Sequence, residues 1–556
     1  MNLGIDFGST YSMLAYYDEQ NDMVQPVQTQ NGSRYIPSVA CFDYSDELIT
    51  GQQAKDFLQS DPTICAYRAF KMLLNENDPQ RLSEMNYTEE YSPRRIAKDF
   101  LRQQIVNATK RCKVTSFDKV VICIPKVWNK DLYTMSGKAI LQEICMELKE
   151  EYGLLEKVVV VSEPAAASAY FAYLHKQNTG TPYGEYMLVV DYGGGTLDIS
   201  LTQVTALDGS NDSCGMQIHV VDEAGAGENH QKQVGDAGIA YQEGTVRMAL
   251  KAAGFQDIPY DGEFIKAVNN FESALINKAT DIRDKINFEC ANQVERLADD
   301  HDVLTTLFYK KTRVPITYSL IYQAYTKIIQ PVLAASLEEM MVKCRRLFDP
   351  LANPEKLKLA LVGGFGQFEL VRCQVHDFFQ NTQRTEDGGR EDAVCFGAAL
   401  IADGVVSLKK VASMSMGLVI QVAGENTFDF AITKNDELEY DQVCYMKHKI
   451  LFGGAYSTGK ATWEFAVGQG DRTDMAYRLT PLKPTQDELN RIVPSQYYTF
   501  GFSMDESEIY SIHVIPLDEH DEPIEEEGHK IRLGNLSDIF GPNVSYSSTK
   551  PIHRLT

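Results

Sequence analysis

Two stretches of this chain are variations on one pattern, and that repetition restricts the fold more than any other feature. LGIDFGSTYSMLAYYD begins at Leu3 and LVVDYGGGTLDISLTQV begins at Leu188. Each is a short apolar run, an aspartate, an aromatic residue, glycine with a hydroxyl-bearing residue, and a second strand-like run. That reads as strand, tight turn, strand. A separation of 185 residues, Leu3 to Leu188, is too long for a solenoid and suits two related lobes.

The sequence between and after the repeats alternates in character. Val120–Ile124 and Val158–Val161 are β-branched apolar runs of the kind that make buried strands. Lys130–Tyr152 and the alanine-rich Ala165–Tyr173 read as helices. Strands alternating with helices indicate an α/β arrangement. Asp261–Asp302 and Ser319–Leu347 are expected to be mostly helical, the latter broken or kinked at Pro331. Leu357–Val362 is a buried strand running into Gly363 and Gly364, and Ala393–Ala402 is a small-residue helix. From Met416 onward the chain changes to short strand-like runs (GLVIQV, FDFAIT, ATWEFAV, YYTFGF, IYSIHVI) separated by turns, the mark of an all-β domain such as a sandwich. The expected division is therefore residues 1–403 as a two-lobed α/β domain (about 1–185 and 186–403), 404–415 as a linker, and 416–556 as a smaller β-sandwich. The polar tail after Ile531 is expected to be loosely ordered.

Composition narrows the partners. With 556 residues a large core is easily buried. A formal net charge of −24 argues against a general nucleic-acid or acidic-membrane binder, because phosphates repel such a surface. The 11 cysteines are odd in number and form no CxxC pair, which fits reduced thiols in a cytoplasmic protein. The start, MNLGIDFGST, lacks the basic and apolar segments of a signal peptide, and no run reaches the length of a membrane span. We therefore expect a soluble, intracellular protein.

The repeated turns carry the chemistry. In Asp6-Phe7-Gly8-Ser9-Thr10 the glycine lets backbone N–H groups close on a phosphate, and Ser9 and Thr10 add hydroxyl donors. Asp6, at a strand end, suits holding Mg²⁺ through its water shell. Alone, an ordinary hairpin turn explains this stretch equally well. Asp191-Tyr192-Gly193-Gly194-Gly195-Thr196 is harder to dismiss, since three successive glycines cost conformational entropy and a phosphate cradle accounts for them. Two such turns face to face would clamp a polyphosphate and one metal ion. Asp198 either orients the second turn or caps it.

GIDFGSTYS, SEPAAASAY, DYGGGTLDIS, LALVGGFG and EDAVCFGAA, in that order, resemble the nucleotide-binding domain of the Hsp70 (DnaK-like) chaperone family, within the actin/hexokinase superfamily. The resemblance covers residues 1 to about 403. It implies an actin-like ATPase of duplicated ribonuclease H-like lobes, with ATP/ADP and Mg²⁺ as cofactors. Gly8, Ser9, Thr10 and Tyr11 match the first phosphate loop, and Gly193, Gly194, Gly195 and Thr196 the second. Lys71, in RAFKML, matches the lysine that reaches the γ-phosphate and the attacking water. Glu163 matches the catalytic-site glutamate, Pro164 a proline linked to interdomain signalling, and Asp191 a carboxylate near metal and water. Lys285 is the retained member of the nucleoside-side helix, and Gly363 and Gly364 match the turn beside the nucleoside. Without the resemblance, Lys71 also reads as an ordinary surface lysine, and Glu163 as a helix N-terminal acid favoured by the dipole.

The implied mechanism is phosphoryl transfer to water by positioning and charge neutralisation. Lys71 and Mg²⁺ offset the γ-phosphate charge, while Glu163, Asp191 and Thr196 place the water. The sequence departs from the family elsewhere. Gln367 stands where an arginine is expected beside adenine, and Glu289 stands near a hydroxyl position. Val234-Gly235-Asp236-Ala237-Gly238 replaces a glycine-acid signature. MSMGLVI, VGQGDR and FSMDESEIYSIHV resemble a divergent, shortened substrate-binding β-domain. Leu408-Lys409-Lys410 stands in place of an acidic apolar linker, and no helical lid follows. The expected function is an Hsp70-like chaperone that couples ATP hydrolysis to binding a client protein or peptide, with a co-chaperone or exchange factor as further partners. A nucleotide-responsive scaffold with little turnover is the alternative; a small-molecule kinase or an actin-like filament fits less of the chain.

Overall fold

In a computed structural model of the chain, the strand–turn–strand pattern forms twice. Asn2–Asp6 pairs antiparallel with Tyr11–Asp18, and Tyr186–Tyr192 pairs antiparallel with Leu197–Ala206. The described residues are 1–125 (without 62, 75 and 77), 137–206 (without 182), 216–226, 237–286, 293–379, 383–384, 391–409, 412, 415–422, 425–433, 436–446, 450–451, 463–469, 476–482, 485–495, 497–505 and 509–534. They divide into two units, one built from Met1–Trp128 and Ile140–Leu408 and one from Asn129–Ala139 and Lys409 onward.

In the first unit each hairpin gains a parallel neighbour on its other side. Asn2–Asp6 is flanked by Phe117–Ile124, with Asp6 opposite Cys123. Tyr186–Tyr192 is flanked by Leu357–Val362, with Asp191 opposite Val362. The two aspartates therefore occupy equivalent ends of equivalent strands. One sheet runs Met23–Pro26, Tyr11–Asp18, Asn2–Asp6, Phe117–Ile124, Leu155–Ser162. The other runs Gln383–Arg384, Leu357–Val362, Tyr186–Tyr192, Leu197–Ala206, Met216–Ala226, Val406–Leu408. The parallel strands are apolar on both faces, as strands covered on both sides must be.

Two helices, Glu163–Thr179 and Ala393–Ala402, share one core with residues of both sheets, among them Met13, Val121 and Val161 from the first and Val189, Val204 and Val362 from the second. All ten residues of Ala393–Ala402 are buried, which is why it is apolar all round rather than striped. Small residues let the backbones close up. A Cβ at Gly397 would lie 1.7 Å from the Ala166 carbonyl oxygen, and one at Gly4 would lie 2.3 Å from the Ala399 nitrogen. The thiols of Cys123 and Cys395 sit in this core, and burial pushes both well above the ordinary thiol range. No disulfide joins the described cysteines to one another.

Elsewhere the boundaries shift for identifiable reasons. Ser319–Leu347 is two helices, Tyr318–Ile328 and Gln330–Cys344, because Pro331 occupies the first turn of the second, where its missing N–H costs nothing. Within Asp261–Asp302 the helices are Gly262–Asn277 and Ala279–Ile286. A hairpin not read from the sequence follows, Val303–Tyr309 with Thr312–Thr317. It turns on Lys310 and Lys311 at φ of 44° and 66°. The helix expected from Lys130 is seen from Gly137 to Tyr152, residues 126–136 lying outside the described set. So do residues 234–236, Glu289, and the tail beyond Gly534; Arg532–Gly534 continue the strand His529–Gly534.

The second unit, taken by itself, has two antiparallel sheets. One runs Glu425–Ile432, Ser415–Val422, Trp463–Gln469, Ala476–Leu482. The other is built on Tyr497–Met504, Tyr510–Pro516 and His529–Gly534, with Cys444–Tyr445 and Ile450–Leu451 paired to its first strand. Met416, Leu418 and Ile432 share a core with Phe500, Phe502, Ile512 and Val514. No helix among the described residues is long and apolar enough to cross a membrane.

Candidate functional site

Asp6 ends its strand, and the chain reverses through Phe7–Thr10. Phe7 is fully buried against Phe70 and Phe100, at centroid distances of 6.0 Å each, and anchors the turn from below. Ser38 braces it from the side: its N–H donates to the Thr10 carbonyl at 2.8 Å and its hydroxyl to the Gly8 carbonyl at 2.6 Å. Ser38 was not singled out in the sequence. Its signal, a serine after Ile36-Pro37, becomes meaningful only when that short strand pairs with Tyr11 and Ser12.

The second turn is closed by Gly193 N–H donating to the Thr196 carbonyl at 3.0 Å. Its carbonyls hold the start of the helix Gly238–Ala252: Gly238 N–H donates to Gly193 O at 3.2 Å, and Ile239 N–H to Gly194 O at 2.8 Å. The two turns touch. A Cβ on Gly194 would lie 2.1 Å from Thr10 Oγ1, and a Cβ on Gly195 would lie 2.5 Å from both Ser9 Oγ and Met72 Sδ. Hydroxyls of the first turn thus occupy the space that side chains of the second would need.

Lys71 and Glu163 meet in the same neighbourhood. Lys71 is 2% exposed, which rules out the surface-lysine reading. Its ammonium donates to Glu163 Oε1 at 2.6 Å and lies 5.8 Å from the centre of the Phe7 ring. Glu163 opens its helix, where the dipole favours an acid, and also takes up the lysine; the two readings of this residue describe one placement. Asp6 and Asp191 feel both groups. Burial, then Glu163, push Asp6 up to about 7 against the pull of Lys71. Burial likewise holds Asp191 well above the usual carboxylate range, with Glu163, Asp198 and Asp6 adding to it. Asp198 lies opposite Asp191 in the strand register, and both are buried. Thr196 is buried beside them in sequence. Among the described residues no three Asp, Glu, His or Cys groups converge to ligate a metal directly.

Gly363 joins this centre from a third direction. It takes φ +80°, and a Cβ there would lie 2.5 Å from Asp191 Oδ1 and from the Tyr192 carbonyl. Gly364 has no atom within 4 Å of such a Cβ. Beyond it the chain is filled with aromatic rings. Phe365 stacks on Phe368 at 5.6 Å and packs on Tyr192 and Tyr241 at 5.1 and 5.4 Å. Gln367 turns inward, its amide donating to the Leu361 carbonyl at 3.2 Å. Arg283 and Arg372 both bind the buried Glu369 carboxylate, at 2.7 and 3.3 Å. Lys285 is bound to Asp300 and Asp302, at 2.6 and 3.0 Å, and lies over the Tyr318 ring. Its described partners thus include no residue of either turn. Tyr11 faces the other way, accepting from Lys55 Nζ at 2.8 Å.

Residues 2–211 match the family model described as Hsp70 protein. Curated relatives include a chaperone protein DnaK of Carsonella ruddii, 22% identical over 440 residues, 73% of this chain and 63% of that protein. A heat shock cognate 70 kDa protein 3 of Dictyostelium discoideum is 22% identical over 463 residues, 76% of this chain and 63% of that protein. A DnaK of Thermotoga petrophila is 27% identical over 207 residues, 36% of this chain and 30% of that protein. The mixed α/β fold and the paired turns accompany these matches. Over residues 2–211 the chain is similar to the Hsp70 family, and the Carsonella ruddii and Dictyostelium discoideum relatives are distantly similar to it over longer stretches. Its matches span less than two thirds of the length of these relatives.

Proposed function

We propose that this chain is an Hsp70-like chaperone whose first unit binds and hydrolyses ATP between two related lobes, each built on one sheet. In this reading the second unit is a β-sandwich that binds a protein or peptide segment according to nucleotide state. The observation that carries it is the contact of Ser9 and Thr10 with Gly195 and Gly194, above a buried Lys71–Glu163 pair. Hydroxyls, backbone N–H groups and an ammonium in one neighbourhood would suit a polyphosphate.

The donor set also suits Mg²⁺. Burial, then Glu163, push Asp6 and Asp191 toward their protonated forms, and a divalent cation nearby would offset that. They would hold it through water rather than as a closed cage, as Mg²⁺ prefers. When bound, Mg²⁺ supplies charge neutralisation at the phosphates. For the chain's own residues, Lys71 faces the terminal phosphate, Glu163 holds the Lys71 ammonium in place, and Asp191 and Thr196 orient a water. No residue needs to act as a strong base. Coupling to the second unit requires that its ligand prefer one nucleotide state over the other.

A second reading, a nucleotide-responsive scaffold with little turnover, is favoured by the inward-facing Gln367 and the ring-filled segment after Gly364. Calorimetry with Mg²⁺-ATP and Mg²⁺-ADP, followed by phosphate release on the same sample, separates the two. Binding with release that Lys71→Ala abolishes supports the ATPase. Binding with no release above background supports the scaffold, and no binding rejects both.

A further inference from the structure

A cleft opens beside the first turn. Ser9 and Thr10 contribute to its lining, as do Lys55, Arg68, Asn269 and Glu272 among a partly apolar wall. Nothing in the sequence singles out Lys55, and Arg68 stands in RAFKML only as a neighbour of Lys71. Strand and helix placement brings them together: Arg68 ends the short strand Ala66–Arg68, and Lys55 sits in the helix Gly51–Ser60. Asn269 and Glu272 come from the helix Gly262–Asn277.

The lining carries two cations and one carboxylate, in a protein whose net charge is −24. Lys55 is partly committed, with Tyr11 Oη at 2.8 Å and Glu272 Oε2 at 3.9 Å. Arg68 is less so. Its Nη1 is buried and has no hydrogen-bond partner among the described residues. Glu243 acts on Arg68 through space, but burial pushes that carboxyl toward its neutral form. A half-buried guanidinium that lines a cleft and keeps an unused donor is a strong recognition element for phosphate oxygens. By contrast, Arg283 and Arg372 are bound to Glu369.

We propose that this cleft is a second anion subsite, in which a ligand seated on the two turns extends one further phosphate past Ser9 and Thr10 to Arg68 and Lys55. The chemical class is a linear chain of four phosphates, free or esterified to a nucleoside. The proposal rests on the reading of the turns as a phosphate cradle.

The test is calorimetry on the full chain, in Mg²⁺ buffer, with pyrophosphate, tripolyphosphate and tetrapolyphosphate. The gain of a charge-assisted contact predicts about tenfold tighter binding of the four-phosphate chain than of the three. Arg68→Gln erases that step and leaves tripolyphosphate binding within about twofold. Lys55→Met, which reduces the step without removing Arg68, serves if Arg68→Gln does not fold. A flat series that still binds, or a step that survives both substitutions, overturns the subsite alone. Failure of all three probes to bind overturns the cradle and the subsite with it. Adenosine 5′-triphosphate and 5′-tetraphosphate distinguish the source: a step between them supports the subsite as one for nucleotides, and a step confined to inorganic chains supports it as one for free polyphosphate.

Discussion

The two turns share a frame and differ at the tip. The first has one glycine followed by two hydroxyl residues; the second has three glycines followed by one. Neither uses its glycines for a left-handed backbone, since Gly8, Gly193, Gly194 and Gly195 are absent from the positive-φ positions. Gly194 and Gly195 are small because Thr10 and Ser9 already stand where a Cβ would go. The repeats are thus complementary rather than duplicate. Glycine in the second is a requirement imposed by hydroxyls in the first.

The largest expected effect strikes what the two turns enclose. Lys71→Ala leaves the Glu163 carboxylate buried without its ion pair, and costs about 3–5 kcal/mol of stability, measured by urea unfolding. Phosphate release falls to background in the same variant. If Glu163→Gln, Lys71→Met doubly substituted protein is no more stable than Lys71→Ala, the pair is not what holds this region.

Complementarity itself is tested next. Gly195→Ala is expected to cost about 1–3 kcal/mol, because Ser9 and Met72 must move. Gly193→Ala, whose Cβ meets nothing closer than 3.9 Å, should cost far less. Gly194→Ala combined with Thr10→Ala should be less damaging than the sum of the two, a coupling read from a double-mutant cycle. Additive losses would show that the turns do not constrain each other.

The acidic ends of the two strands give a pH signature. Asp6 holds its proton up to about 7 in the folded chain, whereas the unfolded chain releases it near 3.8. The folded state therefore binds more protons between these values, and the stability of the ligand-free protein falls as pH rises through that window. Asp6→Asn should flatten the fall; an unchanged slope would assign it to other groups. Gln367→Ala is the smallest expected effect, about 1 kcal/mol or less for a lost part-buried hydrogen bond. It should leave ATP affinity unchanged, because the amide faces the Leu361 carbonyl rather than the turns.

Much of this was legible from local pattern. Leu357–Val362 and Ala393–Ala402 are read correctly because an apolar strand ending in glycine and an all-small helix have few other uses. Glycines and aspartates of the turns announce themselves for the same reason. The Val303–Thr317 hairpin was missed because its turn uses Lys310 and Lys311 at positive φ, where asparagine and glycine give the usual signal. Lys55, Arg68 and Ser38 were missed because their meaning lies in tertiary placement: each is an ordinary residue until a strand or helix delivers it to the first turn. Lys285 shows the converse. Its retained identity pointed to the nucleoside side, and its described partners are Asp300 and Asp302.

The seam between the helices Glu163–Thr179 and Ala393–Ala402 has a consequence for the spacing of the whole centre. Ala393–Ala402 packs on the strand that ends in Asp6, and Glu163–Thr179 packs on the strand that ends in Asp191. Between the helices, Gly397 meets the backbone of Ala166 with no side chain intervening. The distance between the two aspartates is therefore gauged by main-chain thickness, a dimension that rotamer changes cannot alter. One methyl group at Gly397 would act as a shim, widening the stack and drawing the two strand ends apart while leaving every residue of the turns untouched.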